Sequence, residues 1–228
     1  MIGILDSGTG GENTLRELRR TAPTADIVFL KDIKNAPYGT KSTEELTELT
    51  HSNIDKMLSF GAESVLIACC TASCIWKYLP SNTRHKSIPI IAPTAKRAKQ
   101  LSAAGQIAVI STNSTKNSHA FRNLLSDCTV TELAVQELVG FIDSGKRDGN
   151  LKAADIDYIE KLLLPLSKSC ADTLILGCTH FPAIENAIMR IVRKYGIKHT
   201  VSSAKEGAGA LLEQRGIGLD GNGMTVRL

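Results

Sequence analysis

Short runs of β-branched and aliphatic residues, bounded by turn residues, alternate along this chain with stretches of helical period, and no other feature narrows its possible folds as much. The runs fall at residues 2–5, 27–30, 64–68, 88–91, 107–110, 129–133, 173–176 and 199–201. Between them, residues 42–60 carry Leu46, Leu49, Ile54, Met57 and Leu58 at roughly helical spacing, and residues 153–166 repeat the pattern with Ile156, Ile159, Leu162, Leu163 and Leu166. Strands that alternate with helices form mainly parallel sheets covered on both faces, so the expected class is α/β. A length of 228 residues accommodates two small domains. The segment Ile88-Pro-Ile-Ile-Ala-Pro93 reads as a strand running into the crossing between them, and the polar stretch 144–150 as an exposed loop with Asn150 capping the next helix.

Composition removes several function classes. An apolar share of 43% with 22% charged residues is far from that of a disordered chain. The longest apolar stretches, such as 65–70, fall well short of the ~20 residues of a bilayer span. The amino terminus lacks a basic region followed by a small-residue cleavage site, so the expectation is a cytoplasmic protein with no membrane partner. The net charge of +4 comes from scattered groups such as Arg16, Arg19 and Arg20, and aromatics make up only 4%. A nucleic-acid surface needs a denser basic stripe or exposed aromatics, so nucleic acid is not expected as the main ligand.

A long-range echo says more. Ser64-Val-Leu-Ile-Ala-Cys-Cys-Thr71 and Thr173-Leu-Ile-Leu-Gly-Cys-Thr179 are both apolar strands ending in a small residue, cysteine and threonine. Leu5-Asp-Ser-Gly8 and Ile110-Ser-Thr-Asn113 form a weaker pair, each a strand ending in hydroxyls. Two related half-sheets are expected. Ligands of open parallel sheets bind beyond the carboxyl ends of the strands, where both echoes lie.

Six cysteines in a cytoplasmic chain are fillers, metal ligands or reactive thiols rather than a disulfide framework. Cys69, Cys70, Cys74, Cys178 and His180 offer soft ligands, yet adjacent cysteines on a strand end do not make a zinc knuckle, and no metal is expected. A thiol between a strand end and a helix start feels the positive helix terminus, which is expected to lower the pKa of Cys69 and Cys178. Cys74, Cys128 and Cys170 read as fillers, and Trp76 and Tyr78 as helix packing. The turn Asp6-Ser-Gly-Thr-Gly-Gly11, before a helix beginning near Thr14, presents backbone N–H groups to an anion. It lacks the Gly-Lys-Ser/Thr of a P-loop, and Asn13 stands where a dinucleotide fingerprint has its third glycine, so a carboxylate fits better than a nucleotide. Two thiols facing one anion site suit inversion of a stereocentre, since the proton leaves one face and returns to the other.

The segments Ile4-Leu-Asp-Ser-Gly-Thr-Gly-Gly11, Ala36-Pro-Tyr-Gly-Thr-Lys-Ser42, Ile67-Ala-Cys-Cys-Thr-Ala-Ser73 and Leu176-Gly-Cys-Thr-His-Phe-Pro182 resemble, in order and spacing, the signatures of the glutamate racemases of the cofactor-independent aspartate/glutamate racemase superfamily. The resemblance implies two pseudosymmetric α/β domains, residues 1–93 with 205–228 and residues 94–204, with the active site in the cleft between them. It implies Cys69 and Cys178 as the acid/base thiols, with Asp6 and His180 helping to set their ionisation. Ser7, Pro37, Tyr38, Gly39, Thr71, Thr112, Thr115 and Thr179 would line the amino-acid site. The implied reaction interconverts L- and D-glutamate without cofactor, for peptidoglycan supply, and the resemblance allows a homodimer as one assembly.

This chain departs from the family's pattern at named positions. Cys70 stands in place of a substrate-holding asparagine, Val135 and Gln136 in place of Cys-Pro, and Asp143 in place of a glutamate. Cys70 and Asp143 therefore border a site whose recognition is reshaped. Aspartate or another small acidic amino acid is the alternative substrate, and a catalytically silent binding module the alternative class. The histidine after Cys178-Thr179 favours glutamate, because aspartate racemases tend to carry glutamate there.

Overall fold

The computed structural model describes residues 1–215 and 221–228. Among them the strands are β1 (Ile2–Asp6), β2 (Ile27–Lys31), β3 (Ser64–Ile67), β4 (Ser87–Pro89), β5 (Gln106–Ser111), β6 (Thr129–Ala134), β7 (Thr173–Gly177), β8 (His199–Ser202) and β9 (Thr225–Arg227). They form two wholly parallel sheets, ordered β4-β3-β1-β2-β9 and β6-β5-β7-β8. This is the expected α/β class.

The internal echo has a topological meaning. Each sheet starts from a central strand, β1 or β5. The chain then adds a strand on one side, crosses to the other side, and adds one more strand beyond, so β1 to β4 correspond to β5 to β8. Ser64–Thr71 and Thr173–Thr179 therefore lead out of equivalent strands. β9 pairs with β2 and returns the end of the chain to the sheet of its beginning. Residues 216–220 of the tail expected to make that return lie outside the described residues.

Alternate side chains of the strands face opposite ways, which explains the two kinds of core. Ile2 and Ile4 of β1, Phe29 of β2, Val109 of β5 and Ile175 of β7 belong to one buried cluster running through both sheets. Helices Gly11–Thr21, Ile91–Leu101 and Ser203–Arg215 join that cluster through Leu18, Ala98 and Leu211. Leu5 and Val28 face the other way into a cluster on the first sheet's outer face, and Ala108 and Ile110 do the same for the second. At ~1.5–3 kcal/mol for each fully buried large aliphatic side chain, the shared cluster ties the halves strongly. The expected boundary after residue 93 falls in the first turn of Ile91–Leu101, and that after 204 in the first turn of Ser203–Arg215.

Local differences from the sequence reading have simple causes. The strand expected over 88–91 gives way to a helix at Ile91, with Pro93 in its first turn, where the missing N–H costs no hydrogen bond. The first helix starts at Gly11 rather than near Thr14. Asn150 does not cap the following helix: its Oδ1 accepts from the Arg147 amide at 2.9 Å and closes the 3-10 turn Asp148–Asn150, while Asp155 accepts from the Lys152 amide at 2.8 Å and starts Ala153–Leu163. That helix stops before Pro165, which enters the 3-10 turn Leu164–Lys168. Among the described residues no helix is long and apolar enough to cross a membrane.

Candidate active site

In each sheet the order of strands reverses beside the central one, between β1 and β3 and between β5 and β7. Crevices form there, outside the carboxyl ends. Asp6 ends β1 and Ser7 follows it, Cys69 follows β3, Thr112 follows β5 and Cys178 follows β7. These four ends converge on a single cavity of about 230 Å³. That is smaller than the ~300–1,000 Å³ of clefts for drug-sized ligands and suits a compact molecule.

Ser7, Pro37, Tyr38, Gly39, Cys69, Cys70, Thr71, Thr112, Thr115, Asp143, Cys178, Thr179 and His180 all border this cavity. Asp6 is not among the lining residues; it is buried beneath the glycine turn, with Oδ1 accepting from the Gly8 amide at 2.8 Å and Oδ2 from Thr179 Oγ1 at 3.1 Å. Sequence reasoning missed Gly8, Thr9, Ile33, Ala36, Gln136, Val139 and Gly177. Thr9 sits inside the glycine turn and Gln136 inside the segment ending at Asp143, so their location was legible although their contacts were not.

Each thiol has its own neighbour. Ser7 Oγ lies 3.2 Å from Cys69 Sγ, and His180 Nδ1 lies 3.6 Å from Cys178 Sγ. The expected lowering of the thiol pKa values is not what the structure gives. Burial, then the charge of Asp6, pushes Cys69 up to about 11, against hydrogen bonds from Ser7 and the Ala72 and Thr71 amides. Burial likewise raises Cys178, with the charges of Cys69 and Asp6 adding to it, and raises Cys70 well above the ordinary thiol value. The helix after Cys69 is the single turn Cys70–Cys74, and only a short 3-10 turn follows His180, so little dipole is available to offset desolvation. Both thiols are thus protonated at neutral pH, and Cys178 feels the charge of Cys69.

A hydroxyl cluster on the wall of the same cavity spans the halves. Thr71 Oγ1 is 3.3 Å from both Thr112 Oγ1 and Thr115 Oγ1, and Thr112 Oγ1 donates to Thr115 Oγ1 at 3.1 Å. Thr112 also caps the helix Asn113–Asn117, so its position is fixed by backbone. Three hydroxyls in one buried place can turn their protons toward an anion. Tyr38, also on the cavity wall, is braced by its hydroxyl, which donates to Asp32 Oδ2 at 2.7 Å. Burial opposes ionisation of Asp32, but donors from Tyr38, Asn53 and Asn35 outweigh it and hold the carboxyl below its usual range.

The halves meet closely at the glycine turn. Asn13 Nδ2 donates to the Thr179 carbonyl at 2.7 Å, and a Cβ on Gly10 would lie 2.3 Å from Thr179 Oγ1. Only glycine permits that approach. Away from the cavity, Trp76 Nε1 donates to Ser87 Oγ at 3.1 Å, whereas Tyr78 is exposed and does not pack as expected. Cys74 and Cys128 are half-buried, but Cys170 is exposed and is no filler. Among the described residues no three His, Cys, Asp or Glu side chains converge as metal ligands would.

The family model described as Asp/Glu/Hydantoin racemase matches residues 2–207. A glutamate racemase from Desulforudis audaxviator is 33% identical over 197 residues, covering 84% of this chain and 71% of its own length. One from Exiguobacterium sibiricum is 33% identical over 233 aligned positions, covering 96% of this chain and 82% of its own. The crystal structure of a glutamate racemase isoform from Bacillus anthracis matches with a TM-score of 0.82 at 28% identity, covering 100% of this chain and 86% of that one.

Proposed function

The chain belongs to the Asp/Glu/Hydantoin racemase family, and within it we propose that this protein interconverts L- and D-glutamate by proton exchange between two thiols, with no cofactor in the reaction. It is an isomerase of the amino-acid racemase type. The observation that carries the proposal is the pair Cys69 and Cys178, issuing from equivalent strands of two sheets onto one cavity of about 230 Å³. The relatives named above supply glutamate as the substrate. Production of D-glutamate for peptidoglycan in the cytoplasm, and residues 1–93 with 205–228 and 94–204 as the two domains flanking the site, complete the reading.

The chemistry follows from the site. Both thiols start protonated, and a substrate ammonium entering the cavity favours ionisation of one of them. That thiolate removes the α-proton from one face, and the opposite thiol delivers its own proton to the other face; the roles exchange for the other enantiomer. The α-carbon is weakly acidic because its carboxylate accepts little further charge, so donors fixed around that carboxylate are needed. Thr71, Thr112 and Thr115 suit this role, with Thr179 and the amides after β1. Asp6 and His180 bear on the ionisation of the two thiols.

Incubation of L-glutamate with the protein in D2O tests the reading by circular dichroism and by loss of the α-proton signal. Wild type yields deuterated D-glutamate, and Cys69→Ala or Cys178→Ala loses about 10²- to 10⁴-fold in turnover, the usual share of an acid/base group. Turnover of either variant at the wild-type rate overturns the two-thiol mechanism. The thiol of Cys70 bordering the cavity, where the family carries an amide, makes aspartate the second reading, and turnover of aspartate alone would establish it.

A further inference from the structure

We propose that Thr9 is a positioning residue that fixes the tautomer of His180 from across the cleft, and with it the ability of His180 to take the Cys178 proton. The inference deepens the two-thiol reading and rests on it for its catalytic meaning. Thr9 lies in the turn after β1, whereas His180 follows β7 and Asp143 ends the helix Glu137–Asp143 in the other half of the molecule. Its hydroxyl donates to Asp143 Oδ1 at 2.6 Å and stands 3.1 Å from His180 Nε2. The direct His180 Nε2 to Asp143 Oδ1 distance, 3.4 Å, is long for a hydrogen bond, so the threonine oxygen makes the shorter connection.

The count of hydrogens decides the direction. A threonine hydroxyl has one hydrogen, and a carboxylate has none to give, so the hydrogen on Thr9 Oγ1 goes to Asp143. Toward the imidazole Thr9 can then only accept, and Nε2 must carry the hydrogen. Nδ1 is left with its lone pair, and Nδ1 is the nitrogen 3.6 Å from Cys178 Sγ. In the opposite tautomer Nδ1–H would face a protonated thiol and no base would be present. When Cys178 ionises, its S–H bond breaks and an Nδ1–H bond forms, giving thiolate and imidazolium; the imidazolium keeps its Nε2 hydrogen on Thr9, backed by the Asp143 carboxylate. This is the logic by which an acid orients the histidine of a hydrolase triad, with a hydroxyl interposed. Because Thr9 comes from one half and its partners from the other, the connection depends on how the two halves are placed against each other.

The groups facing His180 are Asp6 from the end of β1, Cys178 from the end of β7 and Asp143, so changes at Thr9 are read on a defined set of neighbours. The test compares wild type with Thr9→Val, which keeps the shape and removes the hydroxyl, and Thr9→Ser, which keeps the hydroxyl. With 15N-labelled histidine and the His180 resonances assigned through His180→Gln, wild type shows the Nε2–H tautomer, Thr9→Val a mixed population, and Thr9→Ser the wild-type pattern. In turnover, Thr9→Val lowers kcat by about 10- to 100-fold, the scale of one hydrogen bond to a charged group, with a smaller change in KM. Thr9→Ser recovers most of the loss. His180 resonances unaltered in Thr9→Val overturn the proposal whatever the turnover. A wild type that leaves glutamate unchanged while those resonances respond to Thr9→Val refutes the racemase reading and leaves the Thr9 connection standing.

Discussion

Gly10→Ala probes the contact that brings the halves together. Gly10 has φ −59° and ψ −31°, so alanine meets no backbone penalty there, and any effect comes from the added methyl. That carbon would stand 2.3 Å from Thr179 Oγ1, 2.7 Å from His180 Nδ1 and 2.9 Å from His180 N. Non-bonded contacts are comfortable at about 3.5 Å, so a shift of roughly an ångström is demanded. The Thr179 hydroxyl can rotate away only by leaving Asp6, and the His180 amide cannot rotate away at all. Overpacking of this kind costs about 1–3 kcal/mol, against a gain of about 0.4–1 kcal/mol from the stiffer unfolded chain. The net loss lowers Tm by a few degrees, since each kcal/mol is worth about 2–4 °C at this length. Gly8→Ala is the control: its nearest neighbour would be His180 Cε1 at an ordinary 3.9 Å, so it keeps the entropic gain without the clash. Gly10→Ala also displaces the segment holding Cys178 and His180, and a misplacement near 1 Å can cost 10²-fold in kcat/KM. Thermal melting of both variants and the D2O assay on Gly10→Ala give the answer. A Gly10→Ala protein that melts no lower than Gly8→Ala and turns over at the wild-type rate would refute the close-approach argument.

Stability is expected to fall in alkali. Burial raises Cys69 and Cys74 from the ordinary 9.0 to about 11 and raises Cys70 and Cys178 too, so the folded chain keeps protons that the unfolded chain releases. The contribution is whole below pH 9 and is lost as pH rises toward 11, at about 1.4 kcal/mol per pH unit for each fully buried thiol. Urea midpoints that stay level from pH 8.5 to 10.5 would contradict this. Tyr38→Phe removes the 2.7 Å donor to Asp32 and leaves Asn53 and Asn35 to satisfy it, so a loss of about 1.5–3 kcal/mol is expected. A melting temperature equal to wild type would show that the tyrosine hydroxyl braces nothing.

What could be read before the structure depended on how local the cause was. A buried parallel strand is a run of aliphatic residues, and eight of the strands announced themselves that way. The last, Thr225–Arg227, is only three residues long and gains its place by pairing with β2 from the far end of the chain, for which no local signal exists. The thiols were legible because a duplicated topology leaves a duplicated sequence at the strand ends. Their ionisation was not. The helix terminus can be guessed from sequence, whereas the desolvation that dominates it depends on everything packed around the sulfur. Asp143 was placed at the site by position alone; that its carboxylate reaches Thr9 and His180 rather than standing free depends on how closely the halves approach, which Gly10 allows.

The duplication supplies two thiols but not two equal environments, and this bears on how the reaction can be balanced. Cys69 has a hydroxyl neighbour at 3.2 Å, with burial and then the charge of Asp6 raising its pKa, while Cys178 has an imidazole at 3.6 Å. The enantiomers of an amino acid have equal free energy in water, so the equilibrium constant is one and kcat/KM must be the same in both directions however unlike the thiols are. The asymmetry therefore falls on kcat and KM separately. In the proposed two-thiol reaction each enantiomer meets one thiolate and one thiol, and the protein must reach two different ionisation states to accept both. Supports matched in kind are not required, because only the sum of thiol ionisation and proton transfer enters the shared transition state. A hydroxyl with a buried carboxylate on one side and an imidazole on the other can thus serve one reversible inversion.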